Sequence, residues 1–231
     1  DPVRPVPEPW RADHSPGIRG GTQKPPRQQK ERNMEAIQAF LYHLAVNFDL
    51  PILDWIQAHL QCGFMDTIMP IITLFGEGGI FWIAWAVILL IIPKTRKIGL
   101  SMIIALLLGL LVCNLTLKPL VARVRPYDLQ EQDFGVYINL LINRQSDFSF
   151  PSGHTIASFE AAVVLLKYSK KMGIPALILA ILVSFSRLYL YVHYPSDVLV
   201  SVVLGTIFAF IGCALANLIK LPTVKKGKFE R

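Results

Sequence analysis

Three short stretches of this chain hold the residue types that phosphoryl chemistry needs. In the first, six residues separate Lys118 from Arg125 and Pro126 follows. In the second, Pro151, Ser152, Gly153 and His154 are consecutive. In the third, Ser186 and Arg187 are followed after five residues by His193, and after three more by Asp197. Two cations at a membrane surface suit a phosphate, and arginine's planar fork can grip two oxygens at once. Ser152 is a natural N-cap, Gly153 lets a ligand approach the backbone, and the free amides of a helix N-terminus make an anion site. His154, one residue inside that helix, can hand a proton to a leaving oxygen. Asp197 can fix the tautomer of His193, leaving the other ring nitrogen free to attack phosphorus.

Each stretch has a plainer reading when taken alone. Lys118 and Arg125 suit interfacial cations that snorkel to lipid headgroups. A Pro-Ser-Gly-His run is a weak signal as a cap, and a His–Asp pair at a helix end can be purely structural. Should residues 119–125 be helical, nearly two turns let Lys118 and Arg125 lean to one side, with Pro119 in the first turn and Pro126 ending the helix. Arg123 is left outside the phosphate-holding set. Arg187 precedes His193 by six positions, about 120° around an ideal helix. Its convergence therefore depends on its reach or on other helices.

The elements that position these residues are apolar. The chain has 231 residues, 53% of them hydrophobic and 17% charged, with a mean hydropathy of +0.46. Long charge-free runs make this a membrane composition, since about 20 apolar residues cross a bilayer as a helix. Residues 98–117, 174–192 and 198–219 read as spans, as do the shorter 80–92 and 154–168. The expected fold is an all-α polytopic membrane helix bundle with five spans. A possible sixth would come from residues 36–48 or 65–75. Residues 36–48 and 54–60 carry one apolar stripe each and read as two short amphipathic helices lying in the interface. His43 and His59 there are surface histidines. Residues 1–33, with seven prolines, read as a disordered leader. The remaining expected divisions are 34–77 for the amphipathic helices, 78–219 for the membrane core and 220–231 for a basic tail. With Asp1 first and Met34 just before the first periodic segment, a native start near Met34 is expected, the leader being appended.

Charge fixes orientation. The net charge is +7, but the basic residues lie between apolar runs and in the tails. They form no single polar face, which argues against a nucleic-acid partner. Lys94, Arg96 and Lys97, then Lys167, Lys170 and Lys171, then Lys220, Lys225, Lys226, Lys228 and Arg231 all fall on one side when spans alternate. The positive-inside rule makes that side cytoplasmic. All three chemical stretches then meet on the opposite face. With only five spans the basic leader would sit on that face too, a conflict that a start near Met34 or a sixth span removes. Three cysteines form no disulfide or zinc pattern. Cys113 and Cys213 read as small hydrophobes inside apolar runs. No metal-ligand cluster is legible.

Together the three stretches resemble the signature motifs of the type 2 phosphatidic acid phosphatase (PAP2) superfamily, with every defining position present and in order over residues 78–219. The resemblance implies a two-step phosphoryl transfer with no metal and no cofactor. His193 would be the nucleophile that forms a phosphohistidine, Asp197 its orienting carboxylate, and His154 the acid that protonates the leaving group and then activates water. Lys118, Arg125, Arg187, Ser152 and the Gly153 amide would hold the phosphoryl oxygens. The family implies a membrane lipid phosphate or diphosphate as substrate, of the phosphatidate, phosphatidylglycerophosphate, undecaprenyl diphosphate or lipid A class. Undecaprenyl diphosphate and phosphatidylglycerophosphate are the leading members for so small a span set. The cell membrane is the expected location, with the site on its non-cytoplasmic face. The rival readings are a lipid phosphotransferase with the same intermediate and a non-catalytic lipid carrier or scaffold. Vanadate haloperoxidases share the motifs but are soluble, and the apolar runs argue against them. Glu160 is expected to pack against polar partners, Asn114 and Thr116 to stand behind the site, and Glu77 to touch its rim. Tyr127, Tyr189, Tyr191 and Tyr194 are expected as interfacial aromatics. Oligomeric state is not legible.

Overall fold

Runs of helical period have become helices, and among the described residues there is no strand. The computed structural model describes residues 26–220, with side chains from residue 32. The leader before residue 26 and the tail beyond residue 220 lie outside the described residues. The chain divides into two units, Asp1–Ala36 and Ile37–Arg231, and the site belongs wholly to the second.

Helix α1 (Pro26–Leu44) begins inside the stretch expected to lack order. It passes through a π-helical turn (Ala45–Asp49) into α2 (Leu50–Leu60). The two short helices expected here are therefore one unbroken helical stretch. Pro51, at the start of α2, has no amide to donate a helical bond, yet the helix does not break there. Instead the helix widens: the Leu50 amide bonds back to the Ala45 carbonyl, and a π turn takes up the mismatch. The result, Arg32–Leu60, is long and apolar enough to cross a membrane. The stretch reaches widely separated parts of the chain. Gln38 donates to the Val121 carbonyl at 2.6 Å and Gln57 to that of Tyr189 at 2.7 Å.

Helix α3 (Gly63–Thr73) leads through a 3-10 turn (Leu74–Gly79) into α4 (Ile80–Ile91). Gly78 and Gly79 take left-handed φ values of 55° and 67° there, which only glycine adopts without strain. Helix α5 (Arg96–Gly109) continues through a second π-helical segment (Leu110–Leu117) to the single turn α6 (Lys118–Val121). Then come α7 (Pro126–Phe134), α8 (Gly153–Tyr168), α9 (Lys170–Tyr189) and α10 (Pro195–Leu218).

Helix α8 is the axis of the bundle, packed against α5, α9 and α10. Its Ile156, Ala161, Ala162, Val164 and Leu165 are buried among Met102, Ala105, Ala180 and Ala209. Sixteen residues make only about 24 Å of helix, less than the roughly 30 Å of a hydrocarbon core. Enclosed by its neighbours, α8 has little lipid to face. The surrounding helices turn Ile88, Leu107, Ile181, Leu199 and Val203 outward. Among the described residues, five stretches are long and apolar enough to span: Arg32–Leu60, Gly63–Ile91, Arg96–Phe134, Lys170–Tyr189 and Pro195–Leu218. The chain is a multi-pass membrane protein. At one end of the bundle, Lys97 reaches the Ile219 carbonyl (3.4 Å) and Ser101 meets the Tyr168 hydroxyl (3.1 Å). The short basic loops gather there. The three chemical stretches gather at the other end.

Candidate active site

Lys118 begins α6, which is only one turn long. Ala122 ends it in a left-handed conformation (φ 48°), its amide bonding the Lys118 carbonyl at 3.0 Å. Arg125 is extended and precedes Pro126, which stands in the first turn of α7. The two-turn helix expected across residues 119–125 does not form, and Pro126 opens a helix rather than ending one. Because Ala122 reverses the chain, Lys118 and Arg125 still converge. Lys118 Nζ meets Asp147 Oδ2 and Arg125 Nη2 meets Asp147 Oδ1, each at 2.5 Å. Arg125 also donates to the Val192 carbonyl at 2.6 Å, which ties the first stretch to the third.

Ser152 is the N-cap of α8, and its hydroxyl accepts from the Thr155 amide at 3.5 Å. It also accepts from the Thr155 hydroxyl (3.1 Å), while its own amide donates to Ser201 (2.9 Å). So engaged, Ser152 is fully buried and absent from the cavity wall, whereas Gly153 and His154 line it. The His154 ring lies against Gly76. A Cβ at position 76 would fall 2.6 Å from its Cδ2, so the ring's seat requires glycine there. Its Nε2 lies 3.3 Å from Glu77 Oε2 but makes no hydrogen bond.

Arg187 sits in the last turn of α9, buried, with Nη1 donating to the Thr73 hydroxyl at 2.6 Å and Nε unpartnered. The angular separation from His193 on an ideal helix does not arise, because α9 stops at Tyr189. The chain then doubles back through Tyr191 (φ 59°), and the amides of Val192 and His193 both bond the Arg187 carbonyl at 3.1 and 3.3 Å. His193 is 1% exposed. Its Nδ1 faces Asp197 Oδ2 across 3.6 Å, wider than a hydrogen bond. Asp197 takes its bonds elsewhere: from Ser149 Oγ, from the Tyr194 amide (3.1 Å) and from Arg123 Nη1 (2.5 Å).

Lys118, Arg125, Arg187, His154, His193 and Gly153 share one cavity of about 420 Å³. Its wall has a polar part and an apolar part. Ile83, Ile103, Leu106, Leu107, Leu110 and Ile156 form an apolar arm between α4, α5 and α8. Glu160 lines that arm with its carboxylate against the Gly109 backbone, and its Oε1 has no hydrogen-bond partner. Glu77 and Asn114 also border the cavity, and Asn114 lies beside Gly153. Among the described residues, no group of three or more His, Cys, Asp or Glu side chains could hold a metal ion.

The electrostatics follow from this crowding of cations. Burial first, then Arg125, Arg187 and Lys118, pull the His193 imidazole well below its ordinary value. The ring is therefore neutral and available as a nucleophile. For Asp147, burial alone would raise the carboxyl, but the bonds and charges of Lys118 and Arg125 overcome it and hold it at about 2.

Several contributors carry no signal in the three stretches. Asp147 occupies the two cations, Arg123 bonds both Asp197 and Asp49, and Ser149 bonds Asp197. The four tyrosines expected at the interface are each about 1% exposed. The Tyr189 hydroxyl donates to Asp66 and that of Tyr191 to Asp54, both at 2.6 Å, and the Tyr194 ring lies 3.8 Å beneath Arg123. Acids on the N-terminal helices draw these rings inward.

The PAP2 superfamily model matches residues 95–218. Among curated proteins, the undecaprenyl-diphosphatase of Sulfolobus acidocaldarius is 33% identical over 158 residues, covering 68% of this chain and 73% of that one. An undecaprenyl-diphosphatase of Bacillus subtilis is 30% identical over 165 residues, covering 68% and 77%. Among solved structures, the transmembrane PAP2-type phosphatidylglycerolphosphate phosphatase from Bacillus subtilis aligns with a TM-score of 0.63 at 28% identity, covering 84% of this chain and 96% of that one. The shared motifs, the helical bundle and these relatives agree: the chain belongs to the PAP2 superfamily and is a membrane phosphatase.

Proposed function

We propose that the protein hydrolyses a membrane lipid phosphate or diphosphate through a phosphohistidine at His193, with its site open to the non-cytoplasmic face of the cell membrane. The observation that carries this reading is the two-part lining of the cavity: three cations and two histidines form its polar part, and an apolar arm runs between α4, α5 and α8. A phosphate alone would need only the polar part. An amphiphile with its headgroup among Lys118, Arg125 and Arg187 and its tail in the arm uses both. The orientation rests on Lys94, Arg96, Lys97, Lys167, Lys170 and Lys171, which lie toward the opposite end of the bundle and mark the cytoplasmic side.

In the first step His193 Nε2 attacks phosphorus in line with the bond that breaks, while Nδ1 faces Asp197. Lys118, Arg125, Arg187 and the Gly153 amide stabilise charge on the oxygens in the plane of the transition state. His154 gives its proton to the departing oxygen. In the second step His154 takes a proton from water, the hydroxide forms a bond to phosphorus, and the P–N bond breaks to release phosphate and free His193. Ser152 contributes by fixing the start of α8, so that the Gly153 amide and His154 point at the phosphoryl group. The relatives are named for undecaprenyl diphosphate and phosphatidylglycerolphosphate, and these are the first substrates to try.

The test is a phosphate-release panel on detergent-solubilised protein across those two lipids, phosphatidate, and a water-soluble phosphomonoester without a tail. Release from at least one lipid well above the tailless ester, lost in His193→Ala, is the expected outcome. Equal rates with and without a tail would remove the role given to the apolar arm. Release that survives His193→Ala would remove the nucleophile.

A further inference from the structure

Behind the site, outside the cavity wall, lies a buried chain of charges that begins on the N-terminal helix. Asp49 is fully buried at the end of the π-helical turn. Its Oδ2 accepts from Arg123 Nη2 and from Ser196 Oγ, both at 2.7 Å, and its Oδ1 accepts from the Ser196 amide at 2.8 Å. Arg123 is 3% exposed and places Nη1 on Asp197 Oδ1 at 2.5 Å, with its plane stacked on the Tyr194 ring. Asp197 then faces His193 Nδ1. None of Asp49, Arg123 or Asp197 lines the cavity.

We propose that Asp49 is a positioning residue for His193, acting through Arg123 and Asp197; this rests on the reading of His193 as nucleophile. Burying two carboxylates and a guanidinium is costly, and apolar residues of similar volume commonly serve stability as well or better. The arrangement does something an apolar cluster cannot. With Asp197 as its only partner, Arg123 would neutralise that carboxylate and draw it off the imidazole. Shared between two acids, the guanidinium leaves the triad with a net negative charge, and Asp197 keeps the capacity to stabilise the cationic ring as the P–N bond forms. Asp49 and Ser196 also fix the position of the guanidinium, and so of Asp197. The π turn sets where Asp49 points, and such turns recur at functional sites. Asp49 lies before the matched family residues 95–218, so this support comes from outside the family region.

The test uses the full chain in detergent or nanodiscs, with kcat and KM for lipid and thermal unfolding measured together. Asp49→Asn is expected to lower kcat by about 10–100-fold, by analogy with the loss of outer-shell partners that orient metal-bound histidines. KM stays near wild type, because Lys118, Arg125 and Arg187 are untouched. Asp49→Glu, which keeps the charge, is expected to recover part of the loss. Asp49→Asn leaves Arg123 short of a partner and can unfold the protein. The double variant Asp49→Leu with Arg123→Met therefore decides: it keeps the net charge of the cluster but leaves Asp197 without the guanidinium that holds it, so unfolding temperature recovers while kcat stays low. A double variant that regains wild-type kcat, or an Asp49→Asn loss that only tracks the folded fraction, would overturn the proposal. His193→Ala is run beside them. If it still turns over, the nucleophile assignment fails; if it is dead while the double variant is fully active, only the role of Asp49 fails.

Discussion

The carboxylate of Asp147 sits on the two cations assigned to the substrate phosphate, Lys118 and Arg125, at 2.5 Å from each. A phosphoryl group entering the cavity must displace it. Removing the carboxylate should therefore tighten anion binding, which is the opposite of what loss of a supporting residue would do. The size of the effect follows from exposure. The Asp147 side chain is 52% exposed, so each pair contributes on the scale of a screened surface bridge, about 0.2–1 kcal/mol. Two pairs together give roughly 0.5–2 kcal/mol, and at about 1.4 kcal/mol per tenfold this is about two- to thirtyfold in affinity. The assay is competitive inhibition of lipid phosphate release by inorganic phosphate and by vanadate, comparing wild type with Asp147→Asn and Asp147→Ala. Inhibition constants should fall for both anions and both variants, and the difference should shrink as salt rises. Constants that rise instead would mean that Asp147 holds Lys118 and Arg125 in place for the substrate, and the displacement argument would be wrong.

Other outcomes are equally open to measurement. Burial and the neighbouring cations hold the His193 imidazole below its ordinary value, so its neutral, reactive form persists into acid and the acid limb of kcat/KM lies below about pH 6.5. Lys118→Gln removes a cation and should move that limb upward on the same lipid; a downward move would contradict the electrostatic account. Lysine and arginine side chains supply the charge stabilisation here, so EDTA should leave turnover unchanged, whereas loss of activity restored by magnesium would refute that part of the mechanism. Gly212→Ala puts a Cβ 2.6 Å from the Ser101 carbonyl oxygen and 2.9 Å from the Ala105 amide, where α10 crosses α5. Overpacking of this kind costs about 1–3 kcal/mol, so the unfolding temperature should drop while kcat per folded molecule holds. No drop would mean that the two helices pack less closely.

How much of this was legible beforehand depends on whether a residue's partner lies at a regular spacing or across the fold. The gathering of Lys118, Arg125, His154, Arg187 and His193 follows from alternating spans, because helix ends on one side of a membrane are neighbours whatever their sequence separation. The local geometry was less legible. The chain path between Lys118 and Arg125 turns on Ala122 in a left-handed conformation, and alanine carries no sign of it. The return of His193 to Arg187 depends on Tyr191 doing the same. Asp49 gave no signal, since its partner Arg123 is 74 residues away and one acid in an amphipathic pattern reads as a solvated face. The continuous N-terminal helix was not legible because residues 36–48 and 54–60 each fall short of the roughly 20 apolar residues of a span, and the π turn that joins them leaves no mark in hydrophobic periodicity. The tyrosines read as interfacial for a related reason: their aromatic and polar halves fit an interface equally well until Asp66 and Asp54 supply partners for the Tyr189 and Tyr191 hydroxyls.

The most direct measurement is a rapid quench into base of single-turnover reactions with a lipid radiolabelled in its phosphate, followed by peptide mapping. An acid-labile, base-stable phosphoryl group on the peptide that carries His193, formed and lost at rates matching phosphate release and missing in His193→Ala, is the predicted result. Phosphate released with no labelled peptide at any time, or label on a different residue, would contradict it.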